Sequence, residues 1–378
     1  MQSLPTFFDI VVVGTGFVES LIASACARSG LSVLHIDENN YFGSNWATLS
    51  LNKMEEWADQ NTQNNEMYGY KCFKIIRNTK DTKYETMAIK GNRFSLDLTP
   101  RLIYSDSPFM DFIFQSSLQK SIELARVEGS CLLVQQSRHH TEFLEIPQSK
   151  DEIIHSPLSL SEKHDLLKIV NKVSLWDNSD LNAEFIDNLG NKPFSDFLKN
   201  KGLSDSLASS FLSFCMAGLQ SSHSTSSFQA LRLIKQYIQS LTVFPPQRGP
   251  GGVFYPPTAY VIPFFGMGEI AQSLVRIAAV WGGITIMGCK INKIIRPLTS
   301  QTDQQQIHKE DIPNTKALNE TNQKSFQNEM NNLIGLELEL IMDDREKEQL
   351  VEIKNEPKSE MNKKIVWTKH FISNLSSA

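Results

Sequence analysis

The stretch DIVVVGTGFVESLIASACARSGLSVLHIDENN, residues 9–40, has the pattern of a β-strand, a helix and a second β-strand. Residues 10–13 form a continuous β-branched run that ends at Gly14, as in the buried strands of parallel sheets. Apolar side chains then recur at helical spacing until Gly30, and residues 32–36 form the second apolar run. The stretch therefore predicts a Rossmann-type βαβ unit.

The turn of this unit differs at one position from a dinucleotide-binding turn. Gly14 and Gly16 occupy the first two glycine positions, and Asp37 follows the second strand, where an acid would bind a ribose. Glu19 takes the place of the third glycine. A carboxylate in the first turn of a helix favours the helix dipole but repels phosphate oxygens at short range. We therefore expect the fold without a bound flavin or nicotinamide cofactor, and Asp37 as a strand-end or loop-capping residue.

Composition limits the classes of function. A chain of 378 residues is long enough for about two domains. The net charge of -5 and the lack of a basic stripe argue against a nucleic-acid partner. The five cysteines are far apart, with no Cys-x-x-Cys pair, and the eight histidines are scattered, so we expect neither a disulfide framework nor a metal site. We expect a cytosolic protein, because the N-terminal apolar run lacks a cationic lead and no stretch is long enough to span a membrane.

The remaining chain changes character along its length. Apolar residues at helical spacing dominate the chain from residue 101 to about residue 220. A strong helix is predicted for 226–241, followed by a strand, a glycine turn and a helix over 261–283 and by a strand pair over 284–295. Residues 299–332 are polar and predict a disordered insertion. The sequence thus predicts a discontinuous Rossmann-like domain I and a mainly helical domain II. Domain I comprises residues 7–104, 221–298 and 333–378, and domain II comprises residues 105–220.

Three stretches resemble the Rab GDP-dissociation inhibitor and Rab escort protein superfamily. They are the Gly-Thr-Gly-x-x-Glu turn with the following DENNYFGS segment, RFSLDLTPRLIYSDSPFMDFIFQSSL at 93–118, and IPFFGMGEIAQSLVRIAAVWGGI at 262–284. Asn45, Trp46 and Ala47, together with the polar excursion at 52–92, favour the escort branch over the inhibitor branch. Members of the superfamily continue beyond the strand that residues 365–374 resemble.

The resemblance implies an α/β GDI fold, a flavin-monooxygenase-like FAD/NAD(P)-binding architecture that no longer uses a flavin, with a second, mainly helical domain. It implies a non-catalytic accessory component that binds Rab GTPases in the GDP state and presents them to the Rab geranylgeranyltransferase heterodimer. Such a protein then shields the geranylgeranyl lipid of the Rab during transient delivery to a membrane. Three alternatives stay open: a Rab GDP-dissociation inhibitor, a FAD-dependent oxidoreductase, and a truncated relative unable to bind partners.

The resemblance also assigns a Rab-binding platform to Tyr41, Phe42, Glu269 and Arg276. The last two are seven residues apart, which brings their side chains to nearly the same face of a helix. From the residues alone, Glu269 would complement a helix N-terminus and Arg276 would be a solvated charge. Phe42 lacks the hydroxyl of the family's second tyrosine, and Ser44 replaces a glycine, which matters if that position needs a positive φ.

A prenyl groove in domain II is a further implication of the resemblance. Its candidate lining residues are Phe109, Phe112, Phe211, Phe214 and Met216. The alternative is that these side chains are ordinary core, since apolar residues at helical spacing usually are. The family's transferase contact uses an aromatic residue and an arginine, but residues 160–200 contain no arginine. The transferase contact is therefore not assigned.

Overall fold

The computed structural model describes most of the chain. The described residues are 4–62, 90–116, 118–127, 129–137, 140–175, 192–203, 207–215, 225–248, 254–295, 334–340 and 363–373. The helices are α1 (Phe17–Arg28), α2 (Leu51–Thr62), α3 (Pro108–Gln115), α4 (Lys150–His155), α5 (Leu160–Leu175), α6 (Phe194–Asn200), α7 (Leu207–Cys215), α8 (Ser227–Val243) and α9 (Gly268–Val280). The strands are β1 (Phe7–Val13), β2 (Val33–Asp37), β3 (Thr48–Leu49), β4 (Leu96–Asp97), β5 (Ile103–Tyr104), β6 (Leu124–Arg126), β7 (Cys131–Ser137), β8 (His140–Glu145), β9 (Gln247–Arg248), β10 (Phe254–Tyr255), β11 (Tyr260–Pro263), β12 (Ile284–Met287), β13 (Cys289–Ile295), β14 (Ile334–Leu340) and β15 (Lys363–Ser373). Among the described helices, none is both long and apolar enough to cross a membrane.

The first unit contains a six-stranded sheet in the order β12-β2-β1-β15-β14-β13. The four neighbouring strands β12, β2, β1 and β15 run parallel to one another. In contrast, β14 is antiparallel to both of its neighbours, β15 and β13. Val11 and Leu34 face one core, while Ile10 and Val33 face the opposite core under α1. The register Ile10↔Val33 and the intervening helix confirm the predicted βαβ unit.

The second unit combines helices with small antiparallel sheets. The core of its helices contains Leu166, Phe194, Phe211 and Ile234, which come from α5, α6, α7 and α8. The predicted helical character is confirmed for these elements. The β7–β8 hairpin and strands β5 and β6 were not predicted. β5 and β6 flank the predicted strand β11 in a three-stranded sheet of the order β5-β11-β6.

The boundary between the two units differs from the predicted one. The chain divides into residues 1–100 with 265–378, and residues 101–264. Residues 221–264 therefore join the second unit, although the sequence analysis had placed them in domain I. The reason is the packing of α8, which contacts α5, α6 and α7 and buries Ala230 and Leu231 in their core. The predicted insertion at 299–332 lies outside the described residues.

Candidate functional site

The turn after β1 is held by Asp37 at the end of β2. The buried Asp37 carboxylate accepts hydrogen bonds from the backbone N–H of Thr15 at 2.7 Å and from the Thr15 hydroxyl at 2.6 Å. Its second oxygen accepts from the backbone and side-chain nitrogens of Asn39, at 2.8 and 3.0 Å. Asp37 is therefore a loop-capping residue, as predicted, and both of its oxygens are already engaged.

Glu19 folds back over the same turn. Its side chain is only 8% exposed, and its Cγ lies 3.6 Å from the position that a Cβ on Gly14 would take. A Cβ on Gly16 would overlap the Glu19 carboxylate, so the Glu19 side chain would have to move to admit a larger residue there. In dinucleotide-binding folds the pyrophosphate lies at this helix N-terminus. A phosphate placed here would meet a carboxylate of the same sign, so this turn does not fit a dinucleotide.

His35 also supports the turn, a role that no sequence pattern predicted. The imidazole is buried, and its Nε2 lies 2.5 Å from the carbonyl oxygen of Gly14. Burial lowers the pKa of His35, while the hydrogen bond to the Gly14 carbonyl opposes that shift. The neutral ring then donates its Nε2–H to this carbonyl. A histidine inside the apolar run VLHID was the only sequence signal for this role.

The loop between β2 and β3 packs against the N-terminal end of α1. The backbone N–H of Gly43 donates to the carbonyl of Thr15 at 3.0 Å. The ring of Trp46 stacks on that of Phe17, with centroids 4.8 Å apart and planes 9° apart. Ser44 has a φ of +50°, so the position does use the left-handed region that the family's glycine allows.

Two of the predicted platform residues lie in this loop. Tyr41 packs against the small core formed around Leu49 and Trp57, and Phe42 is half-buried. The other two lie on α9, where Glu269 is half-buried in the first turn and Arg276 is exposed.

Thr48 and Asp97 connect the loop to the start of α9. The hydroxyl oxygen of Thr48 accepts from the backbone N–H of Gly268 at 2.8 Å, and Asp97 Oδ1 accepts from the N–H of Met267 at 2.9 Å. The Thr48 hydroxyl in turn donates to Asp97. The structure thus joins the loop of Tyr41 and Phe42 to the helix of Glu269 and Arg276. Asp97 lies in one of the family-like stretches, whereas nothing in the sequence signals Thr48.

The second unit contains an apolar cavity of about 260 Å³. Its lining includes Leu166, Val170, Phe211, Ile234 and Tyr237. Burial raises the pKa of Tyr237, so its hydroxyl stays neutral at physiological pH.

Only part of the predicted prenyl groove lines this cavity. Phe211 does so, whereas Phe214 packs edge-on against Tyr260, with centroids 5.8 Å apart. Phe109 and Phe112 face one another on α3 and are not in the lining. Met216 lies outside the described residues. Of the described residues in the predicted set, Phe211 alone lines this cavity, because helical spacing does not specify which apolar face lines a cavity.

The fold and the turn define a class of protein: a Rossmann-like α/β protein whose dinucleotide turn is covered by its own glutamate. A family model described as GDP dissociation inhibitor matches residues 4–308. The chain belongs to the GDP dissociation inhibitor family.

Individual relatives agree with this assignment. The chain is 28% identical over 292 residues to the Rab proteins geranylgeranyltransferase component A of Drosophila melanogaster, covering 75% of this chain and 53% of that protein. It is 22% identical over 300 residues to the Rab GDP-dissociation inhibitor of Saccharomyces cerevisiae, covering 78% of this chain and 58% of that protein. The crystal structure of the Rab GDI of Plasmodium falciparum superposes with a TM-score of 0.52 at 21% identity, covering 78% of this chain and 60% of that one, and agrees in fold. The chain spans about half the length of the curated relatives it matches.

Proposed function

We propose that the chain acts as a Rab escort protein. In this role it acts in the cytosol, where it binds unprenylated Rab GTPases in the GDP state and presents them to the Rab geranylgeranyltransferase heterodimer. It then chaperones the lipidated product to membranes. The observation that carries the proposal is the joining of the loop of Tyr41 and Phe42 to the N-terminus of α9, which bears Glu269 and Arg276, in a chain of this family. Relatives named geranylgeranyltransferase component A support the escort branch.

The proposed platform combines two opposite charges with aromatic surface. Glu269 and Arg276 share a face of α9, so they favour a partner surface with a basic and an acidic group at a similar separation. Tyr41 and Phe42 contribute ring surface, of the kind that often carries binding energy at protein interfaces. Charge complementarity of this type mainly gives specificity and association rate.

The apolar cavity of the second unit is the proposed lipid site. Ligand cavities commonly measure roughly 300–1,000 Å³, so a cavity of about 260 Å³ lies just below this range. Burying a prenyl chain contributes about 0.8 kcal/mol per methylene-sized group. We propose that the cavity accepts one end of the geranylgeranyl chain, and that α5, α7 and α8 separate further to take the rest.

No catalytic residue and no flavin are part of the proposal. The position of the Glu19 carboxylate and the engaged oxygens of Asp37 support a role that does not use a dinucleotide. The chain would then act by binding alone, and any bond formation would belong to the transferase.

The test is binding to a fluorescent GDP-loaded Rab. We expect the wild-type chain to bind, and the double variant Glu269→Ala/Arg276→Ala to bind at least about tenfold more weakly, which corresponds to about 1.4 kcal/mol. Arg28→Ala removes an exposed arginine from the last turn of α1 and is the matched control. Equal binding by wild type and double variant would reject the platform, and no wild-type binding would reject the function.

Two further measurements separate the alternatives. An escort protein accelerates Rab geranylgeranylation when the transferase is added, whereas a GDP-dissociation inhibitor binds the lipidated Rab without supporting that reaction. A stoichiometric flavin absorbance band in the purified chain, without Rab binding, would instead favour the oxidoreductase. The absence of both Rab binding and flavin would favour the partner-incompetent relative.

A further inference from the structure

We infer that Thr48 and Asp97 are positioning residues for the partner-binding face of α9, and we name this pair the Thr48–Asp97 clasp. The binding consequence of this inference rests on the proposed function. The structural consequence, a fixed N-terminus of α9, can be measured on the free chain.

The hydrogen bonds of the clasp satisfy the first donors of α9 from outside the helix. A helix leaves its first four backbone N–H groups without intrahelical partners. Thr48 accepts from the N–H of Gly268, and Asp97 accepts from that of Met267. The residue at the helix N-cap, Met267, makes no side-chain cap of its own. The Asp97 carboxylate also has the sign that the helix dipole favours at this end.

Steric fit holds the helix end directly against β3. A Cβ on Gly268 would lie 2.7 Å from the backbone nitrogen of Thr48. Gly266 has a φ of +93°, and a Cβ there would collide with the side chains of Thr48 and Asp97. The chain therefore enters α9 with no room for a shift toward the clasp.

The clasp belongs to a strand pair that continues from the platform loop. Thr48 and Asp97 are direct partners in the antiparallel pairing of β3 with β4, and the backbone N–H of Leu98 donates to the carbonyl of Ala47. On the helix, Glu269 immediately follows the clasped Gly268. The hydrogen bonds of the clasp and of this strand pair thus fix the positions of both the loop that carries Tyr41 and Phe42 and the helix that carries Glu269.

The first test is amide hydrogen exchange of the free chain over residues 267–275. We expect Thr48→Val and Asp97→Ala to accelerate exchange in this segment about tenfold, because each removes a helix cap. Thr48→Ser keeps the hydroxyl and should exchange like the wild type. Thr242→Val is the matched control, since the Thr242 hydroxyl bonds only locally within α8. Unchanged exchange in both Thr48→Val and Asp97→Ala would overturn the inference.

The second test is a double-mutant cycle in Rab binding. Asp97→Ala should weaken binding about fivefold in the wild-type background and less than about twofold in the Glu269→Ala/Arg276→Ala background. Equal losses in both backgrounds would show that Asp97 does not act through the platform and would overturn the positioning role. If the wild-type chain binds no Rab, the proposed function fails, while the exchange measurement still decides the clasp.

Discussion

The N-terminal ends of α1 and α9 are both covered by polar side chains, but these side chains come from different parts of the chain. The two helices pack against one another, and each begins after a glycine-containing turn. At α1 the turn is covered by Glu19, a residue of the first turn of the same helix. At α9 the capping groups are Thr48 and Asp97, which come from strands far away in the sequence.

The difference teaches what each helix end can do. The group that covers the α1 turn, Glu19, belongs to α1 itself and lies where a phosphate would bind. The remote arrangement at α9 ties the helix to a neighbouring loop, so their relative position becomes fixed. We therefore propose that the α1 end excludes a dinucleotide and that the α9 end supports the proposed binding surface.

The largest expected effect is at the α9 end. Gly268→Ala should lower the free energy of unfolding by about 3 kcal/mol, because the new Cβ would overlap the Thr48 backbone. Gly282→Ala is the control: its φ is +87°, but no heavy atom lies within 4 Å of its Cβ position, so we expect a loss of about 1 kcal/mol. Denaturant unfolding compares them. Equal losses would mean that the helix end is not held tightly against β3.

A smaller effect is expected at the α1 turn. Asp37→Ala should cost about 2 kcal/mol, because it leaves the Thr15 backbone N–H buried without its acceptor. Asp97→Ala should cost about 1 kcal/mol, since Asp97 is only half-buried and water can replace it. Chemical denaturation of both variants checks the order. The reverse order would show that the remote cap stabilises the unit more than the local turn does.

Ser44 offers a gain in stability. Its φ of +50° is unfavourable for a residue with a Cβ, so Ser44→Gly should raise the free energy of unfolding by about 1 kcal/mol. Ser44→Ala retains the Cβ and should give no gain. Thermal melts of the two variants compare these outcomes. A melting temperature of Ser44→Gly at or below that of Ser44→Ala would contradict the expectation.

The smallest expected effect concerns the charge of Glu19. Glu19→Gln keeps the size of the side chain but removes its favourable interaction with the α1 dipole, which we expect to cost about 0.5 kcal/mol. The loss should shrink in high salt, because ions screen such interactions. Unfolding measured at low and high ionic strength checks this. A stabilised Glu19→Gln variant would show that desolvation of the carboxylate outweighs the dipole.

Prediction from sequence succeeded where the determining contacts are local. The periodicity of residues 9–40 gave β1, α1 and β2, and that of 226–241 gave α8. Asp37 was expected to be a strand-end or loop-capping residue because Glu19 argues against a dinucleotide, although its partner Thr15 is 22 residues away. The same reasoning did not identify Thr48, whose partner Gly268 is 220 residues away, or His35, because a histidine inside an apolar run does not specify Gly14 as its partner.

The sequence by itself determined the βαβ unit, the glycine turn with a glutamate at the third glycine position, and the spacing of Glu269 and Arg276 on one helix face. These features follow from side-chain periodicity and from groups within a few residues of each other. Only the tertiary structure decided that Thr48 and Asp97 cap α9, that Phe211 alone of the described residues of the predicted groove lines the cavity, and that residues 221–264 join the second unit. The physical reason is that capping and burial depend on which distant segments pack together, and a local pattern does not specify the partner.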